Sequence, residues 1–148
     1  MSETFLNQIS QGKFTEAETY LDALGCQSKF IFPDLCYEQT YDALEFFLKK
    51  RPDYQDLVFR TIAERSDTKM IQLWVKRHPA ENGEWDYICY FACCKGNLDL
   101  VKSILEQYPK MLYELSDSYV FRACEYGHLD LVKFLVEKFS NLYPQTFR

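Results

Sequence analysis

Near the C-terminal end the apolar side chains fall at Leu131 and Leu135, at Val132 and Val136, and at Phe139. Spacings of four and three put them on one face of an α-helix. Immediately upstream stand a Gly127-His128 corner and a second helix-like fragment ending Ala123-Cys124-Glu125-Tyr126. ACEYGHLDLVKFLVE therefore reads as helix, corner, helix. Glycine suits the position just past a helix end, where a positive φ costs other residues energy.

The pattern recurs. A shift of 31 residues superposes ACEYGHLDLVKFLVE on ACCKGNLDLVKSILE, aligning Ala123 with Ala92, Cys124 with Cys93 and Gly127 with Gly96. Further steps upstream reach IAERSDTKMIQLWVK, LCYEQTYDALEFFLK and QISQGKFTEAETYLD, with corners at Ser66, Gln39 and Gly12. Pro52, Pro79 and Pro109 share one column after the second helix of a unit, where proline prevents continuation. The units span approximately 3–24, 30–52, 55–79, 86–109 and 117–140, followed by a tail over 141–148. Units of this size cannot bury their own apolar faces and must stack on neighbours, which predicts an all-α solenoid of helical hairpins.

The string Ala-Cys-x-x-Gly-His-Leu-Asp-Leu-Val-Lys-x-Leu resembles the inner helix, corner and outer helix of the ankyrin repeat, most specifically over residues 87–139. The family's Thr-Pro-Leu-His opening falls at Ser118-Tyr119-Val120-Phe121 and Tyr87-Ile88-Cys89-Tyr90, where only the apolar third position is kept. The units are also shorter than the usual 33 residues. The resemblance therefore implies about five divergent repeats with shortened hairpin loops, whose first helices line a concave face.

Composition narrows the function classes. The 148 residues are enough for one domain with a continuous core, and only five glycines and five prolines disfavour a many-turned β fold. Charge is uneven along the net −5 chain. Residues 1–48 carry two basic against eight acidic side chains, residues 49–78 eight against four, and residues 79–148 seven against ten. The basic middle is either a solvated helix face or a patch for an acidic partner. An acidic chain without a base-reading motif is not expected to bind nucleic acid. With no long apolar run, and with acidic Glu3 rather than a basic flank near the start, neither a membrane span nor a secretory signal is expected. Six cysteines in that setting imply free thiols in a reducing, cytoplasmic location.

The reactive residue types fit packing better than chemistry. Cys36, Cys93 and Cys124 share one column with Ala63 and Ile9, a slot for small apolar side chains, so no metal site or cofactor is expected and Cys94, just outside it, is the expected accessible thiol. His128 is expected to hydrogen-bond within its corner, and His78 to complement a helix end. Asp99 and Asp130 recur in register, whereas an active site needs one asymmetric constellation. With no nucleotide, zinc-protease or nucleophile-elbow motif, the chain does not read as an enzyme.

What remains is the surface. On the ankyrin arrangement, Arg60, Glu64, Arg65, Phe91, Cys94, Lys95, Arg122, Glu125 and Tyr126 lie on the concave face, a Tyr/Phe/Arg groove suited to a protein partner. Trp85, in the polar loop HPAENGEWDY, is either docked on the next unit or an exposed anchor for that partner. The expected function is an intracellular protein-binding module, an adaptor or stoichiometric inhibitor, monomeric by itself. The alternatives are an enzyme with an unrecognised site in the groove and a self-assembling protein. The apolar last helix is expected to be covered by Leu142, Tyr143 and Phe147 of the tail; self-association or continuation into a longer protein are the other possibilities.

Overall fold

The computed structural model describes residues 1–142, with the side chains of 82, 112–116 and 142 excepted. The expected tail cover falls on the side chain of Leu142 and on Tyr143 and Phe147, which lie outside what is described. Those residues form ten α-helices and no strand: α1 (Ser2–Ser10), α2 (Phe14–Leu24), α3 (Phe32–Leu35), α4 (Tyr41–Lys50), α5 (Gln55–Arg65), α6 (Thr68–Arg77), α7 (Asn82–Lys95), α8 (Leu98–Gln107), α9 (Lys110–Glu125) and α10 (Leu129–Leu142). Short 3₁₀ turns flank α3 and precede α5. No helix among them is long and apolar enough to cross a membrane.

The helices pair in sequence, α1 with α2 through α9 with α10, and the odd-numbered helices also touch in order: α1 on α3, α3 on α5, α5 on α7, α7 on α9. Side-chain hydrogen bonds carry the same step. Arg65 donates to Cys36 O at 3.1 Å, Asn97 to Ser66 O at 2.9 Å and Tyr41 to Leu73 O at 3.3 Å, and each pair is 29 to 32 residues apart. Such side-chain hydrogen bonds reach a partner one helix pair away and tie each pair to its neighbour.

Ion pairs follow the step too. Lys50 meets Glu18 at 2.9 Å, Arg51 meets Asp22 at 3.1 Å and Lys69 approaches Glu38 at 3.9 Å. The basic middle of the chain is therefore partly neutralised by the acidic first third rather than left as a patch. These pairs are largely exposed and each stabilises the fold by at most about 1 kcal/mol.

Backbone geometry explains the corners. Gly12, Ser66, Gly96 and Gly127 all have positive φ, between 55° and 76°. Beyond the turn, Asp67 and Asn97 accept hydrogen bonds from Met70 N and Leu100 N and so cap α6 and α8. Gln39 departs from the expected pattern: it lies in a 3₁₀ turn and not at a left-handed corner. The first helix of that pair is only four residues long, with Pro33 in its first turn, so the second unit is the most irregular.

The core runs through every pair, from Phe5 and Leu21 through Phe47, Ile62 and Trp74 to Ile104, Tyr119 and Leu135. Three expectations need correction. Trp85 is 9% exposed and packs on Tyr108 with ring centroids 5.2 Å apart, so it is a core residue and not an exposed anchor. Cys36, Ala63 and Cys93 are buried as expected, but Cys124 is exposed because no helix pair in the described structure covers α9 on that side. His128 bonds outside its corner, donating from Nε2 to Cys94 O at 2.8 Å one unit upstream.

Candidate functional site

The residues flanking the buried stripe of α5, α7 and α9 converge on one side. In helical register, i, i+4 and i+7 place Leu57, Thr61 and Glu64 on α5, Tyr87, Phe91 and Cys94 on α7, and Ser118, Arg122 and Glu125 on α9 along a common face. Their neighbours at the stripe's other edge include Arg60, Tyr90 and Phe121.

A chain of aromatic and charged contacts connects these positions. Tyr87 lies between Phe59 at 5.9 Å and Phe91 at 4.9 Å, its ring tilted against both, and Phe91 meets Tyr90 edge-on at 5.2 Å. The Tyr87 hydroxyl donates to Glu64 Oε1 at 3.0 Å. The Arg122 guanidinium lies 5.3 Å from the centroid of Tyr90 and 5.4 Å from that of Phe121, and is ion-paired to Glu125. Aromatic pairs and stacked guanidinium groups of this kind fix rings and charges in place before any ligand arrives.

The electrostatics match the contacts. Burial, and then the hydrogen bond to Glu64, push the Tyr87 hydroxyl above its usual range, with Arg60 opposing. Burial likewise raises the Cys94 thiol, while Arg122 and Lys95 pull it back and Glu125 adds to the rise. Cys94 is half-buried, so the accessible thiols are Cys26 and Cys124 rather than the one expected. Cys89 and Cys93 are buried in contact, and that contact, with burial, drives the Cys93 thiol upward. Among the described residues no cluster of His, Cys, Asp and Glu is placed to hold a metal ion.

The expected site residues separate into groups. Glu64, Phe91, Arg122 and Glu125 belong to the contact chain, with Cys94 beside it. Arg60, Lys95 and Tyr126 are exposed around it, Tyr126 at the end of α9. Arg65 is turned toward the second unit, 4.6 Å from the ring centroid of Tyr37 and donating from both terminal nitrogens to the carbonyls of Cys36 and Pro33. Trp85 is elsewhere, in the core. Tyr87, Tyr90, Phe59 and Phe121 were not anticipated. Tyr87 was reachable from sequence, being one helical turn before Phe91.

A second feature lies between α5 and α6. A cavity of about 280 Å³ is lined by Asp56, Phe59, Trp74, Arg77, His78 and Glu84 among others. His78 is stacked on Trp74 with centroids 4.2 Å apart and faces Glu45 at 3.4 Å, which uses one ring face and one nitrogen in packing.

No protein-family model matches the chain, and no curated protein or solved structure does either.

Proposed function

We propose that the chain is a solenoid of ankyrin-like helical hairpins that binds another protein through the face formed by α5, α7 and α9, serving as an adaptor or stoichiometric inhibitor inside the cell. The observation that carries this reading is the continuous aromatic and arginine surface from Phe59 through Tyr87, Phe91 and Tyr90 to Arg122 and Phe121. Large rings and guanidinium groups held on rigid helices lose little freedom on docking, so they suit the energetic centre of an interface. The stepwise hydrogen bonds between helix pairs support the stacked arrangement that would present such a face.

The test is a photo-crosslinker carried at position 94, with recovery compared among wild type, the double variant Phe91→Ala, Arg122→Glu and a double variant on the opposite side, Lys102→Glu, Lys133→Glu. One crosslinked protein that disappears with the first variant and persists with the second, at unchanged thermal melts, is the expected result. Equal recovery from all three baits would remove the proposal.

A further inference from the structure

Three cations stand on the proposed face, Arg60, Lys95 and Arg122, against two acids, Glu64 and Glu125, although the chain as a whole is acidic. Both acids are occupied internally: Glu64 accepts from Tyr87 and Glu125 pairs with Arg122. Arg65 is occupied by backbone carbonyls. The cations on the face outnumber the acids by one, so what it offers outward is a small excess of positive charge set among rings.

The pair at Arg122 is built unevenly. The guanidinium is positioned by contact with Tyr90 and Phe121, rings from two different helices, and it sits in the last turn of α9, where a cation is favourable. Glu125 ends the same helix, where the exposed carbonyls disfavour a carboxylate. Its partner is three residues away in a half-exposed position, an arrangement worth little to the fold. Glu125 thus holds the guanidinium weakly, at a point where a better-placed carboxylate can replace it. Arginine donates through a planar fork, so a carboxylate arriving in the fork plane can make two parallel bonds.

We propose that Arg122, held between Tyr90 and Phe121, is the docking point for a carboxylate in an acidic, aromatic-containing segment of the partner protein, and that Glu125 fills that point as an internal stand-in until the partner displaces it. This rests on the binding-face reading above and names its partner chemistry. Phe91 and Tyr87, next in the contact chain, supply the apolar surface for the aromatic residue beside that carboxylate.

Fluorescence anisotropy on the full chain tests it with two labelled peptides: one of glutamates interrupted by phenylalanine and tyrosine, the other with lysine in place of every glutamate. Wild type is expected to bind the acidic peptide and not the basic one. Glu125→Gln removes the competitor and tightens the acidic peptide about two- to fivefold, the size of an exposed pair. Arg122→Gln weakens it at least about tenfold, and Arg122→Lys, which keeps charge but loses the fork, falls between. Arg122→Lys replaces Arg122→Gln should the latter melt early.

Unchanged or weaker binding by Glu125→Gln overturns the stand-in role, and equal binding of both peptides, or of neither at millimolar concentration, overturns the acidic partner. A random single-stranded oligonucleotide that outcompetes the acidic peptide, and loses binding with Arg122→Gln, also overturns it by assigning the guanidinium to phosphate. The two proposals fail separately. A partner crosslink that depends on Arg122 together with indifference to the acidic peptide leaves the face standing and sinks this inference. Peptide binding insensitive to Arg122 and Phe91 sinks both.

Discussion

The imidazole of His128 fills the space where Gly96, one unit upstream, would carry a side chain: a β-carbon on Gly96 would lie 2.7 Å from His128 Cγ. The ring is fixed there by its bond to Cys94 O at 2.8 Å, which requires the proton on Nε2 because a carbonyl only accepts. Two successive corners are thereby locked together. Gly96→Ala must pay both the left-handed backbone cost and displacement of the ring, so it is expected to destabilise by about 3 kcal/mol in urea unfolding. Gly127→Ala has an equally left-handed φ but open space around it, and should cost only about 1 kcal/mol. In a His128→Ala background the penalty at Gly96 should fall to the level at Gly127. Equal penalties at the two glycines in the native background would show that the ring contact carries no weight.

Ser66 occupies the same corner in the preceding unit at φ 55°, the one non-glycine with positive φ among the described residues. Its hydroxyl is buried with no hydrogen-bond partner, while its carbonyl accepts from Asn97. Ser66→Gly removes both the backbone strain and the orphaned hydroxyl and keeps the carbonyl. The expected outcome is a gain of about 1 kcal/mol, because the relief outweighs the extra freedom of glycine in the unfolded chain. A loss of stability in chemical denaturation would mean that the hydroxyl has a partner.

Much of this architecture was legible in the chain because the repeat is written in residues that backbone geometry constrains. Gly12, Gly96 and Gly127 stand where φ is positive, and Pro52, Pro79 and Pro109 stand after second helices. Gln39 was misleading because alignment by apolar spacing supplies a corner whether or not the backbone turns left-handed there. Cys124 was misplaced for a different reason. Periodicity treats every unit alike, but Cys124, Val120, Val132 and Val136 repeat the buried Cys93, Cys89, Val101 and Leu105 without a further described helix pair to cover them. The proposed face was half legible: the column rule found Phe91 and Arg122, whereas the aromatic links through Tyr87 and Tyr90 depend on ring orientations that spacing does not encode. Trp85 was unreadable because its acidic neighbours Glu84 and Asp86 are those of a helix's first turns and not of an exposed loop.

Trp85 and Tyr126 make a direct test of core against surface. Trp85→Ala removes a ring packed on Tyr108 and should lower stability by about 3–5 kcal/mol. Tyr126, 58% exposed at the end of α9, should change the melt by less than about 0.5 kcal/mol when replaced by alanine. Differential scanning calorimetry separates the two outcomes, and a small effect at Trp85 would return it to the surface.

The buried thiols set an alkaline limit on the fold. Burial pushes Cys36 from 9.0 up to about 12, and contact with Cys89 followed by burial raises Cys93 as well. In the unfolded chain these thiols ionise near their ordinary value, so above pH 9 the unfolded state releases protons that the folded state retains. The stability they protect is complete below pH 9 and is lost as pH rises toward the folded values, at about 1.4 kcal/mol per pH unit for each thiol. Urea midpoints should therefore hold steady through neutral pH and fall steeply between about pH 9 and 11. Cys36→Ala should flatten that fall by one thiol's share, at the expense of some packing at every pH. Thiol-reactive dye at pH 7 gives the complementary reading: Cys26 and Cys124, both exposed, react in the folded protein, whereas Cys36, Cys89 and Cys93 wait for unfolding. Prompt labelling of Cys93 in the folded chain would mean that α7 and α9 do not hold together as described.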